Sequence, residues 1–235
     1  TADFFIKTAH TRSYEGLTFY VWEYNFDYPY YGLTAPWISG MAQGHIIEIL
    51  LAAYKVTDNP KYLKAARLAA NTMRVKVENG GVAIEVGNGL WFEEYSHPNV
   101  HPPRVLNGHN FALNGLWYIT QIDKNYMELF DKGVHGLKQL LPRFDAIIWS
   151  MYDLVGTPAN RKYQEIHVKQ LKELFERTGD KFFLHYSNKF KCQLWFPFSA
   201  FYRVIMYPNK FTLFILLSNV ILVFILLLIV QQLPL

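Results

Sequence analysis

The chain has 235 residues, 51% hydrophobic and 17% aromatic, with 23 Lys and Arg against 19 Asp and Glu for a formal charge of +4. This composition excludes a disordered chain, and the lack of any lysine and arginine block excludes a nucleic-acid binder. Cys192 is the single cysteine, which excludes an intrachain disulfide and a thiolate metal cluster.

The first stretch, to Pro36, is crowded with aromatics (FYVWEYNFDYPYYGLTAP) and has little helical periodicity. It predicts extended segments that pack against, or line, another part of the fold. From Ser39 the pattern turns helical, with Met41, Ile46, Ile47, Leu50, Leu51 and Tyr54 at helical spacing. Asp58-Asn59-Pro60 ends this helix and opens a second one through Tyr62, Leu63, Ala66, Ala69, Ala70 and Met73. Two short runs, Val82–Val86 and Leu90–Tyr95, flank Gly87-Asn88-Gly89 and predict a β-hairpin. Helices are then expected over Asn107–Ile122 and Tyr126–Leu141, an extended run over Ala146–Tyr152, and helices again over Arg161–Arg177 and Lys181–Phe190.

The turns Asn59-Pro60-Lys61-Tyr62, Lys124-Asn125-Tyr126 and Gly179-Asp180-Lys181-Phe182 punctuate three helical hairpins. The expected fold is therefore mainly α: an α/α toroid, a partial or complete α/α barrel, of helical hairpins with short β-hairpins. Such an array sets its loops on one rim, where a polymer could lie in a groove.

The segment Phe211–Val230 carries no charge, and only Thr212, Ser218 and Asn219 in it are polar. A helix of that length reaches roughly 30 Å, the thickness of a hydrocarbon core, so a C-terminal transmembrane helix is expected. Lys189, Lys191, Arg203 and Lys210 precede it and favour that side facing the cytoplasm. The reading is a single-pass membrane protein with lipid as one partner, divided into an aromatic segment 1–36, a catalytic domain 37–200 and an anchor 211–230. The chain opens at Thr1 with no initiator Met, so the lack of a leader carries no weight. A homodimer is one assembly left open.

Several polar residues stand where packing would not ask for them. Phe92-Glu93-Glu94-Tyr95 ends the β-hairpin and enters a Pro-rich loop, Tyr152-Asp153 ends the later extended run, and Asn107-Gly108 begins a helix. Tyr163 and His167 are four apart, on one face of a helix. Each also has a structural reading: Glu93 and Glu94 as a solvated strand end, Tyr152 as a core tyrosine, His167 as a satisfied helix histidine. Glu94, His97 and His101 have metal-like spacing, but Pro98, Pro102 and Pro103 deny them a helix, and no metal site is expected.

These motifs, taken in order, resemble a family. Met41-Ala42-Gln43-Gly44, Trp91-Phe92-Glu93-Glu94-Tyr95, Val105-Leu106-Asn107-Gly108, Leu140-Leu141-Pro142-Arg143-Phe144-Asp145, Met151-Tyr152-Asp153-Leu154 and Tyr163-x-x-x-His167-x-x-Gln170-Leu171 are similar to the C-terminal catalytic domain of D-glucuronyl C5-epimerases. Those enzymes convert D-glucuronate to L-iduronate within heparosan-type polysaccharides, and their α/α barrel agrees with the hairpin reading. The resemblance runs from Trp37 to Gln170 and implies a site of Glu94, Tyr95, Tyr152 and Tyr163. Glu94 and Tyr163 would work on opposite faces of the sugar, with Tyr95 and Tyr152 holding the uronate carboxylate. Gln43, Glu93, Arg104, Asn107, Arg161 and His167 lie in or beside the same motifs and are expected to bind substrate. Where the family has an arginine after Tyr-Asp-Leu, this chain has Val155. Neutralisation of the substrate carboxylate must then come from elsewhere; Arg104, Arg161 and Lys162 lie near in sequence.

The implied chemistry suits these residue types. C5 of a uronate is a very weak carbon acid, and its enolate-like dianion needs aimed donors. Inversion needs a second group to return a proton from the other face. No cofactor is required. The partner is a uronate-containing polysaccharide. Elimination at C4 from the same carbanion would make a lyase, Glu94 with Asp153 could serve a hydrolase, and the aromatic groove alone could serve a glycan-binding module.

Overall fold

A computed structural model describes residues 1–195, 198–206 and 210–231. The chain forms two compact units, Thr1–Phe144 with Met151–Ala159, and Asp145–Ser150 with Asn160–Leu235.

The first unit begins with a helix absent from the sequence expectation, α1 (Ala2–Thr8). An antiparallel hairpin follows, β1 (His10–Tyr14) with β2 (Leu17–Val21), closed at Glu15-Gly16, where both residues take positive φ as a tight hairpin turn demands. β3 (Glu23–Tyr24) pairs with β4 (Trp37–Ile38), so the aromatic segment between them is a loop held at both ends. Ser39 caps α2 (Gly40–Thr57), its side chain accepting from the Ala42 amide at 3.2 Å. Asn59 caps α3 (Pro60–Asn71), and Pro60 at the first helical position has no orphan amide to satisfy. The hairpin β5 (Ala83–Val86) and β6 (Gly89–Phe92) falls where the sequence placed it. α4 (Leu106–Thr120) and α5 (Met127–Leu140) complete the unit.

The core lies where α2 crosses α4 and α5 covers β6. The first crossing is backbone on backbone: a Cβ at Gly44 would meet the Phe111 carbonyl oxygen at 2.3 Å, and one at Gly115 would meet that of Gly44 at 2.5 Å. This close approach brings the N-terminal turns of α2 and α4 to the strand end at Glu93. Trp91, Phe92, Leu106, Leu113 and Leu116 are fully buried around it, each such side chain contributing about 1.5–3 kcal/mol.

In the second unit Asn160 caps α6 (Arg161–Thr178), and Asp180 caps α7 (Lys181–Gln193), which packs back on α6. The three expected turns share one device. Asn59, Asp123 and Asp180 each accept, through Oδ1, the amide two residues on, at 3.1, 3.1 and 3.0 Å. α8 (Phe198–Met206) and α9 (Lys210–Gln231) follow.

Two expectations are corrected. Residues 146–152 form no strand: Ile147 takes a positive φ of 70°, its amide bonds the Asp145 carboxylate at 3.0 Å, and only isolated pairings join Asp145 to Ser150 and Met151 to Pro158. The expected transmembrane helix over 211–230 also fails, because among the described residues no helix is long and apolar enough to cross a membrane. α9 itself forms, over Lys210–Gln231. The side chains at 211, 212, 229 and 230 lie outside the described residues. The single-pass membrane location and the lipid partner read from that segment lose their basis.

Candidate active site

β6 delivers two carboxylates into the first unit at its C-terminal end. Glu93 is wholly buried. Its Oε2 accepts the Arg104 amide at 3.1 Å and its Oε1 the Tyr95 amide at 3.4 Å, while its carbonyl receives the Gly40 amide at 2.9 Å. Arg104 reaches it from a left-handed backbone position, φ 57°. Burial pushes the Glu93 carboxyl up to about 7, against the smaller pull of the Tyr95 and Arg104 amides.

Glu94 is 4% exposed, and its Oε2 is buried with no hydrogen-bond partner. It rests on the first turn of α4, where Gly108 has no side chain to displace it. Burial, then the charge of Glu93, pushes Glu94 up to about 8, with a hydrogen bond from Tyr95 acting in the other direction. Neither carboxylate is the solvated strand end that a sequence reading allows. Two adjacent buried carboxyls that exchange protons near neutrality are poor structural elements and suitable acid/base groups.

The N-terminal aromatic segment closes over Tyr95. Tyr28 stacks on it at 5.3 Å with the rings 9° from parallel, and Tyr31 and Trp37 lie at 4.8 and 5.6 Å. Tyr24 stacks on Trp37 at 4.3 Å. Burial and then the charge of Glu94 hold the Tyr24 phenol above its usual range. The Tyr31 hydroxyl donates to Asp153 Oδ2 at 2.6 Å, and Tyr30 Oη lies 2.7 Å from Thr157 Oγ1. Tyr152 enters through its backbone, its carbonyl accepting the Leu106 amide at the start of α4 at 3.0 Å.

Glu93, Glu94, Tyr95, Arg104, Asn107 and Tyr152 thus gather around the first turn of α4. Val155 is 51% exposed, and its amide donates to Asp153 at 3.1 Å. Gln43 has a different environment: its amide nitrogen donates to Tyr20 O at 2.7 Å, to Thr72 Oγ1 at 2.8 Å and to Ala69 O at 3.3 Å. His97 and His101 lie on a loop, where His97 Nδ1 receives the Asn99 amide, and no group of three His, Cys, Asp or Glu among the described residues could hold a metal ion.

Tyr163, Arg161 and His167 belong to the second unit. Tyr163 is half-buried in the first turn of α6, its amide bound to Asn160 at 3.0 Å, and Arg161 pairs with Glu165 at 3.1 Å. His167 is fully buried; its Nδ1 lies 2.9 Å from Ser150 Oγ, which also bonds Gln164, and its Nε2 has no partner. Burial lowers its imidazole to about 3, so it is neutral.

The sequence reading missed Tyr31 and Tyr28. The density of tyrosines between residues 24 and 31 was visible, but nothing in local spacing shows that they meet Tyr95 and Asp153. It also missed His109, which stacks on Trp91 at 4.1 Å and takes the Phe92 amide on Nδ1 at 2.9 Å. His109 thereby fixes the strand end that carries the two glutamates.

Residues 15–192 match the family described as D-glucuronyl C5-epimerase C-terminus. An uncharacterized protein of Methanocaldococcus jannaschii is 36% identical over 185 residues, 75% of this chain and 59% of that protein. A D-glucuronyl C5-epimerase of Caenorhabditis elegans is 36% identical over 174 residues, 62% of this chain but 28% of that protein. The chain therefore spans less than two thirds of either curated relative. With the match covering most of its length and every motif around Glu94 inside it, the chain belongs to the D-glucuronyl C5-epimerase C-terminal family.

Proposed function

We infer that the chain is a polysaccharide uronate C5-epimerase domain that inverts D-glucuronate to L-iduronate. The observation that carries this reading is Glu94: a buried carboxyl, one oxygen unpartnered, pushed up to about 8 beside Tyr95. Such a group can take the C5 proton as carboxylate and return one as acid within a narrow pH range. The excess charge of the enolate-like dianion falls to Tyr95 and Tyr152 as neutral phenol donors. Tyr163 is assigned the second proton on the motif resemblance. Arg104 and Arg161 are the cations proposed to offset the substrate carboxylate in place of the family arginine at Val155.

A second reading, a glycan-binding module without turnover, is favoured by Val155, which puts a methyl-bearing side chain where the family has a cation. Incubating the protein with a glucuronate polymer in deuterated water separates the two. Deuterium at C5 without chain cleavage supports epimerisation, unsaturated ends indicate a lyase, and binding without either supports the module.

A further inference from the structure

We propose that Tyr31 is a positioning residue for the reaction, tying the loop that carries Tyr152 to the ring of Tyr95 through its hydroxyl bond to Asp153. The inference rests on the epimerase reading and deepens it. Tyr31 ends a short 3-10 turn, Pro29–Tyr31, which is closed by mutual backbone bonds between Tyr28 and Leu33. The turn fixes three tyrosines at once: Tyr28 stacks on Tyr95, Tyr30 meets Thr157, and Tyr31 touches Tyr95 with its ring and Asp153 with its hydroxyl.

Asp153 is fully buried, and among the described residues no lysine, arginine or histidine forms an ion pair with it. A carboxylate in that state must be held by hydrogen bonds. Its Oδ1 takes the amides of Val155 at 3.1 Å and Thr157 at 2.8 Å, which shapes the loop, and its Oδ2 takes the Tyr31 hydroxyl at 2.6 Å. A hydroxyl donating to a carboxylate at that distance makes one of the stronger hydrogen bonds a protein has. Backbone bonds also hold the loop: the Tyr152 amide donates to Thr157 O at 2.7 Å, the Tyr152 carbonyl accepts from Leu106 at 3.0 Å, and the Leu154 amide donates to Pro103 O at 2.9 Å.

Burial, then the bond to Asp153, holds the Tyr31 phenol far above its usual range. It therefore remains a proton donor wherever the domain is folded, which suits a tether and not an acid/base group. Removing the hydroxyl leaves Asp153 under-satisfied and frees the Tyr152 loop to shift relative to Tyr95. A shift of about 1 Å in a reacting constellation can cost up to about 10²-fold in rate.

Tyr31→Phe keeps the ring on Tyr95 and deletes only the hydroxyl. The expected result, from C5 deuterium exchange at varied polymer concentration, is a kcat lowered about 10- to 100-fold with KM changed less than about 3-fold. Asp153→Asn is expected to give a similar loss, and the double variant to be no worse than the poorer single one, since both remove the same link. A purely structural role would lower the melting temperature and leave kcat of the folded protein unchanged. Tyr31→Phe within about 2-fold of the unaltered kcat, or multiplicative losses in the double variant, overturns the proposal while the epimerase reading stands. No exchange by the unaltered chain removes both.

Discussion

Gly108 and Glu94 are in direct contact, and the contact excludes any side chain at residue 108. A Cβ there would stand 2.1 Å from Glu94 Oε2 and 2.5 Å from its Cβ. Gly108 lies within α4, where alanine is a better helix former than glycine. Gly108→Ala should therefore keep the helix and push the whole Glu94 side chain, Cβ included, away from α4. The expected outcome is unchanged helical circular dichroism with C5 exchange reduced by about 10²-fold. Full exchange in a folded Gly108→Ala protein would show that Glu94 need not sit where it does.

The two glutamates also make stability depend on pH in an unusual direction. Their carboxyls stay protonated in the folded chain up to about 7 and about 8, whereas in the unfolded chain they ionise near 4.5. Between those limits the folded state holds more protons, so stability falls as pH rises. The contribution is fully present below about pH 4.5 and is lost progressively up to about pH 8. Denaturant midpoints at pH 5.5 and 8.5, chosen to span most of that window, should differ by more in the unaltered chain than in Glu94→Gln. An equal difference in both would place the titration elsewhere.

Gln43 offers a test of a different kind. Its amide nitrogen sits among three acceptors, two carbonyls and a hydroxyl, in the core between α2, α3 and β2. Gln43→Leu removes one donor from each of these groups, although the Thr72 hydroxyl still donates to Tyr20 O at 2.6 Å and the Thr72 amide still donates to Ala69 O. The cost should be about 0.5–1.5 kcal/mol of stability, read as a lower denaturant midpoint. If Gln43 acts only as this tie, KM for a uronate polymer should not move; a large rise in KM with stability intact would make it a substrate contact.

Much of this arrangement was legible in the sequence, for identifiable reasons. Helix starts were readable because Ser39, Asn59 and Asn160 are capping residues at the head of periodic apolar runs. The β5–β6 hairpin was readable from Gly87-Asn88-Gly89. Residues 146–152 misled, because an apolar, aromatic run such as AIIWSMY fits a strand locally, while Asp145 and Ile147 build a turn through a side chain bond. The ionisation of Glu93 and Glu94 was not readable at all. Adjacent acids at a strand end look solvated, and their burial depends on α2 and α4 crossing at Gly44 and Gly115, far away in sequence. The C-terminal stretch misled because its composition alone suggested a span.

The division of labour between Glu94 and Tyr163, with Val155 as the departure from the family, gives the last prediction. Tyr163→Phe removes one hydroxyl from a half-buried ring whose amide stays bound to the Asn160 cap, so stability should change little. If Tyr163 transfers the second proton, exchange should fall by at least about 10²-fold, roughly 2.7 kcal/mol of barrier, with polymer binding nearly intact. Val155→Arg is the complementary change. Residue 155 is half exposed, and its contribution to the loop is a backbone amide given to Asp153, which any residue can supply. An arginine there should fold as the unaltered chain does and add a cation that can counter the substrate carboxylate as the carbanion forms. Turnover on glucuronate polymers should then rise, and rise less at high salt, where a half-exposed charge is screened. If Val155→Arg changes nothing and Tyr163→Phe exchanges at the full rate, neither the second proton nor the missing cation works as assigned, and the second proton must come from another group of the domain.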